Sequence, residues 1–254
     1  MLLTVLGCSG SVPGPNAPTS GYLLESEGFL LGLELGHGTL AALMAIRDPH
    51  DLDALLFSHL HPDHCADVAA MTVYRRYYPP AEPRIGKLPI YAPSEAHSRF
   101  VAAYSPDATE RAAEDLTDVY EFRPLSTGTV HIGPFEVTAI QAVHPCESYS
   151  FRFSAGGRTL VYTGDTGTFD ELAELASGVD VLLSEASWTH ADDRPPDLHM
   201  SGTEAGEVAK RAGVGKLLLT HVSPFTDNQA ILAEARAAFP GEIVLVRQGS
   251  NYRI

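Results

Sequence analysis

Apolar residues alternate with polar ones in several short runs of this chain and fall at helical spacing in others. Residues 2–6, 21–25 and 29–34 read as strands, and 52–57 as a short buried strand. From 64 to 78 the apolar spacing is helical, with Pro79 and Pro80 expected to end the helix because proline lacks an amide hydrogen. Strand 88–91 and helix 93–104 repeat the alternation. A strand-rich middle follows over 119–122, 129–132, 135–143, 149–153 and 158–162, with Gly156-Gly157 marking a hairpin turn. The last third returns to alternation: helix 169–176, strand 179–184, helix 202–212, strand 216–220, helix 228–239 and strand 243–246. This order predicts an α/β protein with two mixed sheets between outer helices.

With 254 residues, 44% of them hydrophobic, and no evident linker, repeat or low-complexity tract, the chain is expected to form one domain over 1–254. Seventeen basic residues against thirty-two acidic ones give a net charge of −15, which opposes tight, non-specific binding to nucleic acid. No run reaches the length of a membrane span. Met1 leads directly into strand 2–6 without a signal-like segment, so a cytoplasmic protein is expected. Cys8, Cys65 and Cys146 lack zinc-finger spacing and are expected to be small buried thiols, not a disulfide framework.

The chemistry concentrates in His59-Leu60-His61-Pro62-Asp63-His64, directly after strand 52–57. In an extended segment His59 and His61 point to the same side, and the turn at Pro62 sends Asp63 and His64 elsewhere. Ligands divided in this way suit two adjacent cations better than one tetrahedral site. His144, Asp165 and His221 likewise stand just beyond the ends of apolar strands, the edge at which open α/β sheets build ligand sites. His37, His50, His97, His131 and His190 lack such company and read as ordinary polar residues.

His59-x-His61-x-Asp63-His64, His144, Asp165 within Tyr162-Thr163-Gly164-Asp165-Thr166, and His221 resemble, in order, the metal motifs of the metallo-β-lactamase superfamily. The resemblance spans nearly the whole chain. It implies an αββα sandwich with a dinuclear zinc centre, in which manganese or iron could replace zinc. His59, His61 and His144 would hold one ion, Asp63, His64 and His221 the other, and Asp165 would bridge them. Flavodiiron-type redox members carry a glutamate where this chain has His61, which disfavours electron transfer. Glu34 stands where the superfamily usually has an aspartate supporting the metal site, one methylene shorter.

Glu185 and His199 resemble the glutamate and histidine that ribonuclease Z and its phosphodiesterase relatives add to the ligands. A histidine at the mouth of a metal site can protonate a leaving alkoxide, and a carboxylate can fix its tautomer. Ser201 and Thr203 offer helix caps that would hold the His199 loop. The loop Gly7-Cys8-Ser9-Gly10-Ser11-Val12-Pro13-Gly14-Pro15 also matches this subgroup: amides at Ser9, Gly10 and Ser11 are expected to approach a phosphate or a metal-bound ligand, and a plain tight turn after the first strand accounts for the same glycines equally well. Only twenty residues separate His144 from Asp165, leaving no room for the transfer-RNA arm usually inserted there. The pattern resembles the armless, atypical class II cyclic-nucleotide phosphodiesterases of actinobacteria. That resemblance implies hydrolysis of 3′,5′-cyclic AMP to the 5′-monophosphate by a hydroxide shared between the ions, with His199, Glu185 and Asp63 as catalytic residues and a homodimer as the assembly. The rival expectations are a ribonuclease Z-like RNA endonuclease, a carboxylic or thioester hydrolase, and a non-catalytic metal-bound scaffold.

Overall fold

The computed structural model describes residues 1–78 and 86–254. The first half supplies strands β1 (Leu2–Gly7), β2 (Gly21–Ser26), β3 (Phe29–Leu33), β4 (Ala54–Leu56), β5 (Leu88–Ala92) and β6 (Tyr120–Pro124), with helices α1 (Thr39–Met44), α2 (Pro62–Cys65), α3 (Val68–Tyr77), α4 (Ala96–Tyr104) and α5 (Ala108–Ala113). The second half supplies β7 (Gly128–Ile132), β8 (Phe135–Gln141), β9 (Tyr149–Ala155), β10 (Arg158–Tyr162), α6 (Asp170–Leu175), β11 (Val181–Glu185), α7 (Gly202–Ala212), β12 (Lys216–Thr220), α8 (Asn228–Ala238), β13 (Glu242–Leu245) and β14 (Asn251–Arg253).

These strands form two seven-stranded sheets ordered β14-β1-β2-β3-β4-β5-β6 and β13-β12-β11-β10-β9-β8-β7. Each sheet joins an antiparallel part to a parallel one: β3 to β6 run parallel in the first, β10 to β13 in the second. Residue alternation decides the layering. Leu31 and Leu33 of β3 and Leu160 and Tyr162 of β10 meet between the sheets, while Leu30 and Val161 face outward to the helices. Phe135, Phe151 and Phe153 fill the space between the sheets, with Phe135 and Phe153 edge to face at 6.3 Å. Helices α1, α3 and α4 cover one outer face, and α6, α7 and α8 the other. The result is the expected αββα sandwich.

Several local expectations are corrected. The helix expected over 64–78 is broken into α2 and α3, because the Leu35 amide bonds to the His64 carbonyl at 2.7 Å and the Asp67 amide to the Leu35 carbonyl at 3.0 Å. Its expected end at Pro79 and Pro80 lies outside the described residues. The strand expected over 179–184 is β11 and extends to Glu185, whose carboxylate is fully buried. Ser201 caps α7 in a reciprocal box with Glu204, while Thr203 lies inside the helix. Cys65 is buried and Cys8 half-buried, but Cys146 is exposed, in the loop after His144. Gly156 and Gly157 both have positive φ, 58° and 73°, which gives the tight β9–β10 turn. Among the described residues no helix is long and apolar enough to cross a membrane.

Arg76 on α3 ties that helix to the end of α4 and to the segment between α5 and β6, reaching Glu114 at 2.8 and 3.0 Å, Asp118 at 2.6 and 2.7 Å, and Tyr104 Oη at 3.0 Å. This guanidinium draws the Glu114 carboxyl from its usual 4.5 to about 2. A carboxylate depressed on folding stabilises the protein above its unfolded value and loses that contribution as pH falls through the folded one. Arg76→Ala is therefore expected to cost about 1–2 kcal/mol at neutral pH. The gap from the parent should close as pH falls toward 2, measured by denaturant unfolding across that range.

Candidate metal centre

The loops that follow β4, β8, β10, β11 and β12 converge on one edge of the sandwich. The β4 loop brings His59 and His61, and α2, started by Pro62, turns Asp63 and His64 inward. His144 follows β8, Asp165 follows β10, and His221 follows β12. All seven sequence-predicted ligands thus meet, in two adjoining groups: His59, His61 and His144, and Asp63, His64, Asp165 and His221.

In the first group His61 Nδ1 lies 3.0 Å from His59 Nε2 and 3.1 Å from His144 Nε2. His144 Nδ1 faces the Leu198 carbonyl at 3.0 Å, so it carries the ring hydrogen and Nε2 presents a lone pair. One hydrogen on His61 Nδ1 cannot serve two approaching nitrogens. The convergence calls for a cation. In the second group His221 Nε2 stands 3.1 Å from Asp63 Oδ2 and 3.3 Å from both His64 Nε2 and Asp165 Oδ2. Asp165 Oδ1 is 3.2 Å from His64 Nε2, yet it is buried without a hydrogen-bond partner. Asp165 Oδ2 also lies 3.7 Å from His59 Nε2, which puts this carboxylate between the groups, as a bridging role requires. The donor set of imidazole nitrogens and carboxylates fits zinc, manganese or iron.

The electrostatics agree with that fit. Burial disfavours the charged ring of His59, and the nearby His64 pushes it further below the usual histidine range. Burial also opposes charge on His64, but Asp165 and Glu34 outweigh it and hold His64 well above that range. Asp63 and Asp165 are desolvated too, yet the surrounding imidazoles keep both carboxyls below their usual value. Burial drops His144 to about 4. Without an ion the site is thus a pair of carboxylates among rings that cannot all be protonated.

Supporting groups surround these donors. Ser58 Oγ is 3.0 Å from His59 Nδ1. Glu34 reaches the site despite its extra methylene: its backbone takes a left-handed φ of 61°, and Oε1 accepts from the Ser58 amide at 3.0 Å and lies 3.5 Å from His64 Nδ1. The glycine loop after β1 also packs here. A Cβ on Gly10 would collide with the His221 carbonyl, and one on Gly36 with the Asp63 carbonyl. The amides of Ser9, Gly10 and Ser11 donate to Pro18 O, Val222 O and Asp63 Oδ2. All three are engaged inside the protein, so the loop as it stands orients Asp63 and offers no free amide to a phosphate.

Beside the second group, His199 Nδ1 faces Glu185 Oε1 at 3.1 Å and Asp165 Oδ2 at 3.8 Å. Trp188 meets the His199 ring edge-on at 5.2 Å. Burial works against a charged His199, but Glu185 and Asp165 prevail and raise it to about 9. Glu185, His199 and His221 also lie close enough to form a third potential cation group. However, Glu185 Oε1 already accepts from the Thr166 amide at 2.6 Å and faces His199, so the arrangement suits a carboxylate-held imidazole better. Ser58 escaped the sequence reading because a single hydroxyl carries no spacing signal. His50 is buried against Tyr74, and His37, His97, His131 and His190 lie outside the two groups.

A family model described as a beta-lactamase superfamily domain matches residues 35–222, which hold every one of these ligands. The chain belongs to the metallo-β-lactamase superfamily. Within it, the chain is 46% identical over 255 residues to the uncharacterized protein ML1173 of Mycobacterium leprae, covering 99% of this chain and 88% of that protein. It is 31% identical to the probable metallo-hydrolase YhfI of Bacillus subtilis, covering 98% of each. The crystal structure of YhfI superposes with a TM-score of 0.84 at 29% identity, covering 99% of this chain and 98% of that one. Human tRNase Z, short form, shares the fold, with a TM-score of 0.79 at 21% identity over 100% of this chain and 99% of that chain. Membership in this superfamily, with metallo-hydrolase relatives, makes the protein a metal-dependent hydrolase.

The two groups predict separable losses. Metal-loaded His61→Ala should lose cation from the first group alone, while Asp165→Ala should lose it from both, read as metal per chain by elemental analysis after gel filtration. Outer partners such as Ser58 should matter less, with Ser58→Ala weakening affinity by roughly 10–100-fold.

Proposed function

We propose that the protein is a two-metal phosphodiesterase of small substrates, 3′,5′-cyclic nucleotides foremost, yielding 5′-monophosphates. The observation that carries this reading is the Glu185–His199 pair, set against the candidate metal ligands with His199 Nδ1 3.8 Å from Asp165 Oδ2. Phosphodiester cleavage at an alkyl oxygen must expel a strongly basic alkoxide, and a positioned acid lowers that barrier. An ester or thioester hydrolase has less need of such a donor.

Divalent cations held by the two groups would supply Lewis acidity toward phosphate oxygens and acidify a water to near-neutral pKa. The chain's own residues do the rest. His199 donates Nδ1–H to Glu185, leaving Nε2 as the atom that carries the proton to the departing ribose 3′ oxygen. Its value of about 9 keeps it protonated near neutrality, and cations seated alongside would lower that value toward the working range. Glu185 is fully buried and held by Thr166 and Ser187, so it orients the ring without leaving it. Asp63 and Asp165 take no proton in this scheme; their carboxyls stay ionised among the imidazoles.

A ribonuclease reading is second, supported by the shared fold of tRNase Z. It is weakened by the tight β9–β10 hairpin between His144 and Asp165, where no protruding arm is built, and by the acidic charge balance.

The test compares leaving groups. With metal-loaded protein and cyclic AMP, His199→Ala should lower kcat by roughly 10²–10⁴-fold. With a bis-nitrophenyl diester, whose leaving group departs without a proton, the loss should be less than about tenfold. Asp63→Ala should abolish both. Equal losses on the two substrates would remove His199 as the acid, and turnover of the aryl diester alone would remove cyclic nucleotides as substrates.

A further inference from the structure

Ser187 stands two residues beyond Glu185 and is 2% exposed. Its backbone has no freedom. The amide donates to Met200 O at 3.0 Å, and the carbonyl accepts from the Ser223 amide at 3.3 Å and Thr226 Oγ at 3.0 Å. The hydroxyl is thereby aimed between two chemical groups: Oγ lies 2.8 Å from His221 Nδ1 and 2.9 Å from Glu185 Oε2.

A hydroxyl has one hydrogen and two lone pairs, so the direction of each bond can be worked out. His221 turns Nε2 toward Asp63, His64 and Asp165, where a cation would require a lone pair. Nδ1 then carries the ring hydrogen and donates it to Ser187 Oγ. The serine hydrogen is left for Glu185 Oε2, the competing acceptor being the His221 carbonyl at 3.1 Å. Glu185 Oε1 accepts from the Thr166 amide and from His199 Nδ1. The donations meet at Glu185, from His221 through Ser187 on one side and from His199 Nδ1 on the other, which leaves His199 Nε2 outside this network.

We propose that Ser187 is a positioning residue that joins the cation ligand His221 to the Glu185–His199 pair through one hydroxyl, fixing the tautomers of both histidines. His221 has a left-handed φ of 53°, a conformation a non-glycine residue keeps only when its surroundings hold it, and the serine meets both its ring and its carbonyl. Ser187 therefore secures the ligand that is most strained in its backbone. This inference rests on the metal-dependent phosphodiesterase reading only for its effect on turnover; its effect on metal binding needs no substrate.

The test titrates Zn²⁺ into metal-free parent, Ser187→Ala and Ser187→Thr, and records ring-nitrogen NMR of ¹⁵N-histidine protein after loading. Ser187→Ala should weaken zinc binding by roughly 10–100-fold, and the His221 Nδ1–H and His199 signals should both move. Ser187→Thr, which keeps the hydroxyl, should restore both readings. If Ser187→Ala does not fold, Ser187→Cys takes its place, keeping the volume with a poor hydrogen-bonding group. Unchanged zinc affinity and unchanged histidine signals in the folded variant would overturn the proposal, as would Ser187→Thr behaving no better than Ser187→Ala. Should the parent turn over no phosphodiester, the functional reading fails while the zinc and NMR readings still decide the role of Ser187.

Discussion

Lone pairs and carboxylates forced together in a buried place are the constraint on which this molecule is organised. His59, His61 and His144 aim nitrogens at one point, and His64 and His221 aim theirs at two carboxylates. Protons alone cannot reconcile these contacts, because several rings have their other nitrogen committed elsewhere and burial opposes charge on His59 and His144. Cations can. The sandwich supplies what such a site demands, namely parallel strands that end at one edge and a packed interior that keeps their loops from relaxing apart.

Strain and support are arranged accordingly. Glu34 and His221 both hold left-handed backbones, a conformation costing on the order of 1–3 kcal/mol in a residue with a Cβ. Glu34 is kept there by the β4 loop it supports, and His221 by Ser187 and by the close approach of Gly10. The break between α2 and α3 has the same origin. Continuing the helix would carry the His64 carbonyl away from the Leu35 amide and its ring away from Asp165. Local regularity yields to the geometry of the centre.

The layers and the ligands were legible in the sequence because both repeat a simple rule. Apolar strands such as 158–162 and 216–220 read cleanly, and each ends just before a metal-type side chain. Elements without an apolar face escaped: α5 has no buried residue, and β14 is three residues with no buried position. Helix α1 is a single short turn-and-a-half of chain between the Glu34 loop and the 3₁₀ turn Pro49–Asp51, too brief for periodicity to declare. The sequence marks Glu185 as a site residue but not as the end of a strand, since a charged side chain argues against a buried strand until its partners are known. The glycines of the loop at Ser9 to Ser11 suggest a phosphate cradle, yet the three amides are turned to Pro18, Val222 and Asp63. Hydrogen-bond direction is a property of three-dimensional neighbours, and no spacing rule carries it.

The two adjoining groups, as metal sites, would share Asp165. Anomalous diffraction from crystals grown with zinc, recorded on both sides of the absorption edge, addresses it directly. A pair of peaks is expected, one bounded by His59, His61 and His144 and the other by Asp63, His64 and His221, with the Asp165 carboxylate between them. A single peak at Glu185, His199 and His221, or no peak at the sheet edge in fully loaded protein, would contradict it.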